Sequence, residues 1–385
     1  MKFIRPGMRK PKAESASMER MLAKAQTKVR ATRLRIGGFF AFARPGNWFV
    51  SKIPPLLAVA YLAILRSGIA PHNAVRLLAC GLFSIFCVAI YGHVLNDIFD
   101  QEADRLANKV NRLATMRPVW RGLLPPAFLI GGFLPALAVH YSIGPLFLLT
   151  LNYLWPTVYS IPFTRLKERG LFGVACDALG SHISPTLFVL GLFATSGPAE
   201  SSPGRIGFVL LVTLWAAVLG VKGILHHQIA DRENDIQSGI VTFATKIRPE
   251  VLQRFLTGFN LLIELPVSAL LTVQVSLWCP LAIAAFILYT GPEVIKYLLG
   301  FKFALTANPA TIRASVPFTN EMFYVLWMPM AAAIQIGFHK PALFSLPILH
   351  ALIFHQPVVQ QLSDWLAIIK NATLVYRGRY SMQGR

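Results

Sequence analysis

Nine apolar stretches, near residues 48–65, 77–95, 123–140, 143–163, 171–195, 206–225, 252–275, 277–299 and 322–338, are each about as long as a helix that crosses a hydrocarbon core of roughly 30 Å. A weaker tenth lies around 342–366. Lipid cannot satisfy a backbone N–H or C=O, so crossing segments must make their own hydrogen bonds and pack against one another. The chain of 385 residues is 55% hydrophobic and only 14% charged, with a mean hydropathy of +0.54, far from a soluble balance. The expectation is an all-α integral membrane protein, one bundle of about nine transmembrane helices. Spans one to four and five to eight run in parallel: in each half an even-numbered span ends in an acidic cluster and enters a basic loop, which reads as two four-helix halves. Prolines 135, 156, 185, 266 and 329 inside the spans predict kinks, which suit a bundle enclosing a central cavity.

A formal charge of +20 would fit a nucleic-acid binder if it were clustered on one surface, but Lys and Arg concentrate in alternate loops, the signature of membrane topology. Nucleic acid is therefore excluded as a partner, and lipid is the surrounding medium. The leader carries eleven Lys and Arg before Ile36, and further cations follow at Arg105, Lys109, Arg112, Arg117 and Arg121, then at Arg165, Lys167 and Arg169. The intervening loops Tyr141–Gly144 and Ser196–Gly204 have none. This predicts a cytoplasmic N-terminus and puts both acidic clusters on that side. The leader has no apolar core, and its Glu14 and Glu19 argue against an organellar presequence, so a bacterial inner membrane is the expected location. Residues 1–40 read as a basic cytoplasmic segment, 41–340 as the bundle and 341–385 as a C-terminal segment. Nine crossings would leave Lys370, Arg377, Arg379 and Arg385 outside, which a tenth or re-entrant helix resolves. The four cysteines lie singly in apolar segments and read as packing residues.

The chemistry is concentrated in two acidic clusters, Asn96-Asp97-Ile98-Phe99-Asp100-Gln101-Glu102-Ala103-Asp104 and Asp231-Arg232-Glu233-Asn234-Asp235. On a helix Asp97, Asp100 and Asp104 (i, i+3, i+7) share one face, as do Asp231 and Asp235 (i, i+4). Carboxylates so close repel one another and are costly beside hydrocarbon, so each stripe points to a cation between the side chains, most simply Mg²⁺. Two such stripes could hold two magnesium ions around a diphosphate. A lone acidic run beyond a span is usually a solvated helix end. Here both runs continue in a matched pattern, the first to Asn111-Arg112 and Arg117-Pro118, the second to Gly239, Thr242 and Lys246.

These residues resemble the UbiA-type intramembrane prenyltransferases. The resemblance rests on Asp97-x-x-Asp100-x-x-x-Asp104 with Asn96, Asn111-Arg112 and Arg117-Pro118, on Tyr159-Ser160-x-Pro162 with Arg165-x-Lys167, and on Asp231-x-x-x-Asp235-x-x-x-Gly239-x-x-Thr242. It spans about residues 40–300. It implies a nine-helix bundle around a central cavity, two Mg²⁺ ions held by the two Asp motifs, and transfer of a polyprenyl group from its diphosphate to a lipophilic or aromatic acceptor, a quinone precursor or a tetrapyrrole among the candidates. The residue chemistry agrees: ionising an allylic C–O bond requires neutralising the leaving diphosphate. Asp97, Asp100, Asp104, Asp231 and Asp235 are the candidate catalytic metal ligands, with Asn96 a neutral ligand or orienter. Arg112, Arg117, Arg165 and Lys167 are candidates for the diphosphate oxygens, topological anchoring being their other reading. Tyr159, with Tyr91, Tyr153 and Trp155, could line a wall that shields the cation, or simply pack. Asn234 stands where many relatives have glycine, and Gly239 where some carry a third carboxylate.

Asp177, His182, Lys222 and Glu264 are ionisable groups at or near membrane depth, each expensive unless paired or wet. Asp177 and His182 could bind or deprotonate an acceptor hydroxyl, and an Asp177–Lys222 ion pair is the plainer reading. Such charges also suit a proton-coupled secondary transporter, the competing function. A transporter, however, gathers its charges near the midplane, whereas the strongest clusters here sit at one rim.

Overall fold

The computed structural model describes residues 43–106, 110–194, 203–298, 303–304, 313–314 and 321–383. The basic segment 1–40 and Lys109 lie outside them. Helices stand where the apolar stretches predicted them: α1 (Pro45–Ser67), α2 (Pro71–Phe99), α3 (Pro118–Val139), α4 (Ile143–Ser160), α5 (Leu171–Ala194), α6 (Pro203–Gln237), α7 (Pro249–Ser276), α8 (Leu281–Leu298) and α9 (Phe323–His339). Among the described residues six of these, α1, α2, α3, α5, α6 and α7, have the length and mean hydropathy of a membrane crossing. The nine expected crossings are thus nine helical segments, six of which are spans by length and composition. The weak tenth stretch folds as α10 (Pro341–Ile353) and α11 (His355–Gln383), bent by 72° at Phe354, as a broken span or re-entrant loop would be. A two-residue ladder, Phe303–Ala304 with Arg313–Ala314, is the only extended pairing among the described residues. The chain is an all-α integral membrane protein.

Local chemistry explains the helix ends. Prolines 45, 71, 118 and 249 occupy the first turns of α1, α2, α3 and α7, where a missing N–H costs nothing. The core runs through the middle of the bundle. α1 is the most enclosed span and packs against the second half of α5 and against α9, with Ala58, Leu62 and Ile64 fully buried. α3 lies at the periphery, packed on α2, with Leu123, Ile130 and Leu137 exposed, as a lipid-facing helix requires.

The prolines within spans act more specifically than as simple kinks. In α5, α7 and α9 a π-helical turn precedes a proline: Leu179–Ile183 before Pro185, Asn260–Glu264 before Pro266, Phe323–Trp327 before Pro329. In each case the residue just before the proline donates its N–H five residues back, Ser184 to Leu179, Leu265 to Asn260 and Met328 to Phe323. A proline ring collides with the carbonyl four residues earlier, and the wider turn moves that carbonyl aside. The same turns carry His182, Asn260, Glu264 and Tyr324 into the interior.

Candidate active site

The first acidic cluster is not one straight stripe. α2 ends at Phe99, Asp100 leaves helical geometry (φ −101°, ψ 6°), and a short helix, Gln101–Leu106, follows. The expected single helical face for Asp97, Asp100 and Asp104 is therefore bent at its middle member. Hydrogen bonds from Asp100 N to Asn96 O and from Asp104 N to Asp100 O keep the three on consecutive turns. Asn111 locks the loop that follows. Its Nδ2 donates to the Asp97 carbonyl (2.8 Å) and to Asp104 Oδ2 (2.8 Å), while its Oδ1 accepts from Leu113 N (3.1 Å) and Ala114 N (3.2 Å). A side chain that saturates its amide in this way organises a turn.

Cations from two separate segments converge on the carboxylates. Arg44, just before α1, lies 2.7 Å from Asp97 Oδ1. Arg165 reaches Asp100 Oδ1 at 3.4 Å and also pairs with Glu168. Lys167 donates to Asp100 Oδ1 and, at 3.2 Å, to Asn96 Oδ1, so Asn96 orients a lysine here. Burial lowers the Lys167 pKa below the usual lysine value, and the Asp100 carboxylate opposes that shift. Arg44 and Arg165 both sit at positive φ (44° and 37°), unusual for a residue with a Cβ. The two strained arginines are thus the ones aimed at the carboxylates, a placement typical of functional sites.

The second cluster forms a helical stripe as expected. Asp231 and Asp235 lie one turn apart on α6, Asp231 3.8 Å from His227 Nε2 and Asp235 buried. The residues after it are structural. Gly239 takes φ 71° and closes α6, with Gly239 N bonded to Ile236 O and Ile240 N to Asp235 O. Thr242 and Thr245 form a reciprocal capping box at the start of the short helix Phe243–Lys246.

Tyr159, at the end of α4, lies within electrostatic reach of Asp100, Asp235 and Asp177 together, and His93 of α2 within reach of His227 of α6. The two acidic ends therefore face one space at one end of the bundle. Neither oxygen of buried Asp97 completes a hydrogen bond, despite the Arg44 contact. A buried carboxylate left in this state suits a cation ligand. Among the described residues no three His, Cys, Asp or Glu side chains form a ready metal cage. That is compatible with Mg²⁺, which is commonly held by one or two carboxylates together with water and substrate phosphate oxygens.

The sequence of this region decides the family: residues 53–300 match the model of the UbiA prenyltransferase family. The chain belongs to the UbiA prenyltransferase family. Among solved structures, a UbiA homolog from Archaeoglobus fulgidus bound to DMAPP and Mg²⁺ is 16% identical, with 78% of this chain and 99% of that one covered at a TM-score of 0.53. The same homolog bound to GPP and Mg²⁺ is 17% identical, with 80% and 99% covered and a TM-score of 0.52. A third structure of that homolog is 16% identical, with 80% and 99% covered and a TM-score of 0.51. At these identities the likeness shows the shared fold. No curated protein sequence matches the chain.

In this UbiA-family enzyme the remaining candidates are divided. Arg112 and Arg117 are both exposed, but Arg112 lies within electrostatic reach of Asp97, whereas Arg117, at the start of α3, has no ion pair to the acidic motifs among the described residues. Asp177 accepts from Ser181 Oγ (3.2 Å), whose oxygen also meets His182 Nδ1 (2.7 Å). The expected Asp177–Lys222 pair does not form. Lys222 instead donates to Glu264 Oε1 at 2.7 Å, because the π turn of α7 brings that carboxylate inward. Tyr91, Tyr153 and Trp155 are tied into the packing through Thr157 Oγ1, Phe128 O and Ser184 Oγ. Two cations escaped the sequence reading. Arg44 reads as an interfacial anchor, and Lys52, in the first span, lies close enough to influence both His93 and His182. The cost of a charge inside an apolar span was the signal that marks Lys52.

Proposed function

We propose that the enzyme transfers a polyprenyl group from its diphosphate, chelated by Mg²⁺ at the two Asp motifs, to an aromatic acceptor, a quinone precursor or a tetrapyrrole. The observation that carries this is Tyr159 standing within reach of both Asp100 and Asp235, so that one diphosphate could meet both motifs. Asp97, Asp100 and Asp104 would hold one ion and Asp231 and Asp235 another. When bound, Mg²⁺ offsets the negative charge that grows on the departing diphosphate. Lys167, Arg165 and Arg112 donate to diphosphate oxygens, and Arg117, which has no electrostatic link to Asp97, takes part only at the outer edge. Asn96 keeps Lys167 aimed. Tyr159 covers the site of ionisation and keeps water from the allylic cation. Asp177 meets the acceptor. The basic leader, residues 1–40, lies in the cytoplasm with the mouth of the site, in a bacterial inner membrane; 41–340 form the catalytic bundle and 341–385 an appended segment.

The test is direct. Detergent-purified protein is incubated with Mg²⁺, prenyl diphosphates of several lengths and pooled aromatic and tetrapyrrole acceptors, and products are read by mass spectrometry. A prenylated product is expected, and Asp100→Ala or Asp231→Ala abolishes it while the protein stays monodisperse. Mg²⁺-dependent turnover retained in either variant overturns the assignment.

A further inference from the structure

Away from the acidic rim, a small recess lies between α7, α8 and α9, lined by Asn260, Glu264, Leu265, Ser268, Tyr289 and Phe323, with room at its bottom for about one oxygen-sized group. Part of its polar equipment is left unused by the fold. Asn260 has no exposed surface, yet neither its Nδ2 nor its Oδ1 has a hydrogen-bond partner. Glu264 is held through Oε1 by Lys222, but its Oε2 is buried and without a partner. Buried amides and carboxylates are ordinarily satisfied, so three unmet atoms around one recess mark a place for a ligand atom.

The atoms specify its chemistry. A group that satisfies them must donate to Glu264 Oε2 or Asn260 Oδ1 and accept from Asn260 Nδ2. A hydroxyl does both, with one O–H and two lone pairs. A carboxylate or phosphate offers acceptors only. It would also add negative charge where Lys222 already faces two carboxylates, Glu264 and Glu321. An ammonium offers donors only and leaves the Asn260 Nδ2 unmet. Lys222 lies nine residues before Asp231 on α6, about 14 Å along the axis at 1.5 Å per residue, with half-buried His226 one turn along in the same direction. An acceptor anchored in the recess would have to span that distance to meet the carboxylate rim.

We propose that the Asn260–Glu264–Ser268 recess binds the hydroxyl of the acceptor, selecting a neutral phenol or alcohol over an anionic acceptor; this rests on the prenyl-transfer reading for the identity of the occupant. The probes are 4-fluorophenol, 4-fluorobenzyl alcohol and 4-fluorobenzoate, followed by ¹⁹F NMR with the full-length protein in detergent. One or both hydroxyl probes bind saturably, the phenol arm separating an aromatic hydroxyl from an aliphatic one, and 4-fluorobenzoate does not. Asn260→Leu and the isosteric Glu264→Gln each weaken that binding about ten-fold or more, while binding of geranyl diphosphate with Mg²⁺ is unchanged. If Asn260→Leu does not yield monodisperse protein, Glu264→Gln alone decides. Equal hydroxyl binding in wild type and Glu264→Gln, benzoate binding as strong as that of the phenol, or no saturable hydroxyl binding, which would leave the recess to water, each overturns the proposal. Loss of geranyl diphosphate binding in the wild-type protein with hydroxyl binding intact would count against the donor reading and leave the recess standing.

Discussion

Lys167 and Asp100, 67 positions apart in the chain, are joined by a hydrogen-bonded ion pair in which both side chains are largely withdrawn from solvent. The pair ties the loop after α4 to the end of α2, and its lysine is also held by Asn96. Among the described residues, removing the ammonium leaves the Asp100 side chain with only the longer Arg165 ion pair. Lys167→Met, which keeps the length of the stem, is expected to lower kcat/KM for prenyl transfer by about 10²–10³, the usual cost of a lost charge-stabilising donor. Steady-state kinetics with geranyl diphosphate at saturating Mg²⁺ check this. A change of less than two-fold would mean that the lysine only anchors the loop.

Asn111 makes four hydrogen bonds that fix the loop after the first motif, including one to Asp104. Asn111→Ala strands the Leu113 N–H, while Ala114 N–H keeps its bond to the backbone carbonyl of residue 111, at an expected cost of about 1–3 kcal/mol. Because Asp104 loses its donor as well, the Mg²⁺ concentration for half-maximal activity is expected to rise in the same variant. A melting curve and a Mg²⁺ titration read the two effects separately. Asn111→Asp, which cannot donate from its side chain, should resemble alanine in the titration.

The helical architecture and the two carboxylate motifs were legible because membrane-length apolar runs and acidic spacing are local properties of the chain. Asp231 and Asp235 fall on one helical turn as their spacing requires, whereas Asp100 breaks the first stripe through a backbone change that spacing does not encode. Prolines 185, 266 and 329 announced irregular helices, but not that the irregularity would be a π turn that swings Glu264 to Lys222 and so takes the lysine from Asp177. Arg44 was hidden for a different reason. Its role depends on a left-handed backbone at the start of α1 and on a carboxylate more than fifty residues away, and a single sequence records neither.

Gly239 separates backbone from side-chain effects in the second motif. Its φ of 71° is the left-handed region, and a Cβ built on it meets nothing within 4 Å. The cost of Gly239→Ala is thus conformational, about 1–2 kcal/mol. Asparagine tolerates this region, so Gly239→Asn is expected to lose less. Thermal unfolding in detergent should rank the proteins glycine, asparagine, alanine. An alanine variant as stable as wild type would show that the end of α6 does not depend on this turn.

Gly220 is the opposite case, a glycine required by space. It lies on α6 at ordinary helical geometry, but an added Cβ would come within 2.8 Å of Ala178 Cα, 2.9 Å of its Cβ and 3.2 Å of its carbonyl oxygen on α5. Backbone atoms of a packed helix cannot move aside as the tip of a flexible side chain can, so relief has to come from separating the two helices. Gly220→Ala is expected to cost about 1–3 kcal/mol, as overpacking does. Because α5 carries Asp177 and α6 carries Asp231 and Asp235, the same displacement widens the space between motif and acceptor side. Activity should therefore fall in Gly220→Ala even at temperatures where it remains folded, with the KM for the acceptor raised more than that for the prenyl diphosphate. Parallel melting curves and two-substrate kinetics test this, and a stable variant with unchanged KM values would show that α5 and α6 can part without disturbing the site.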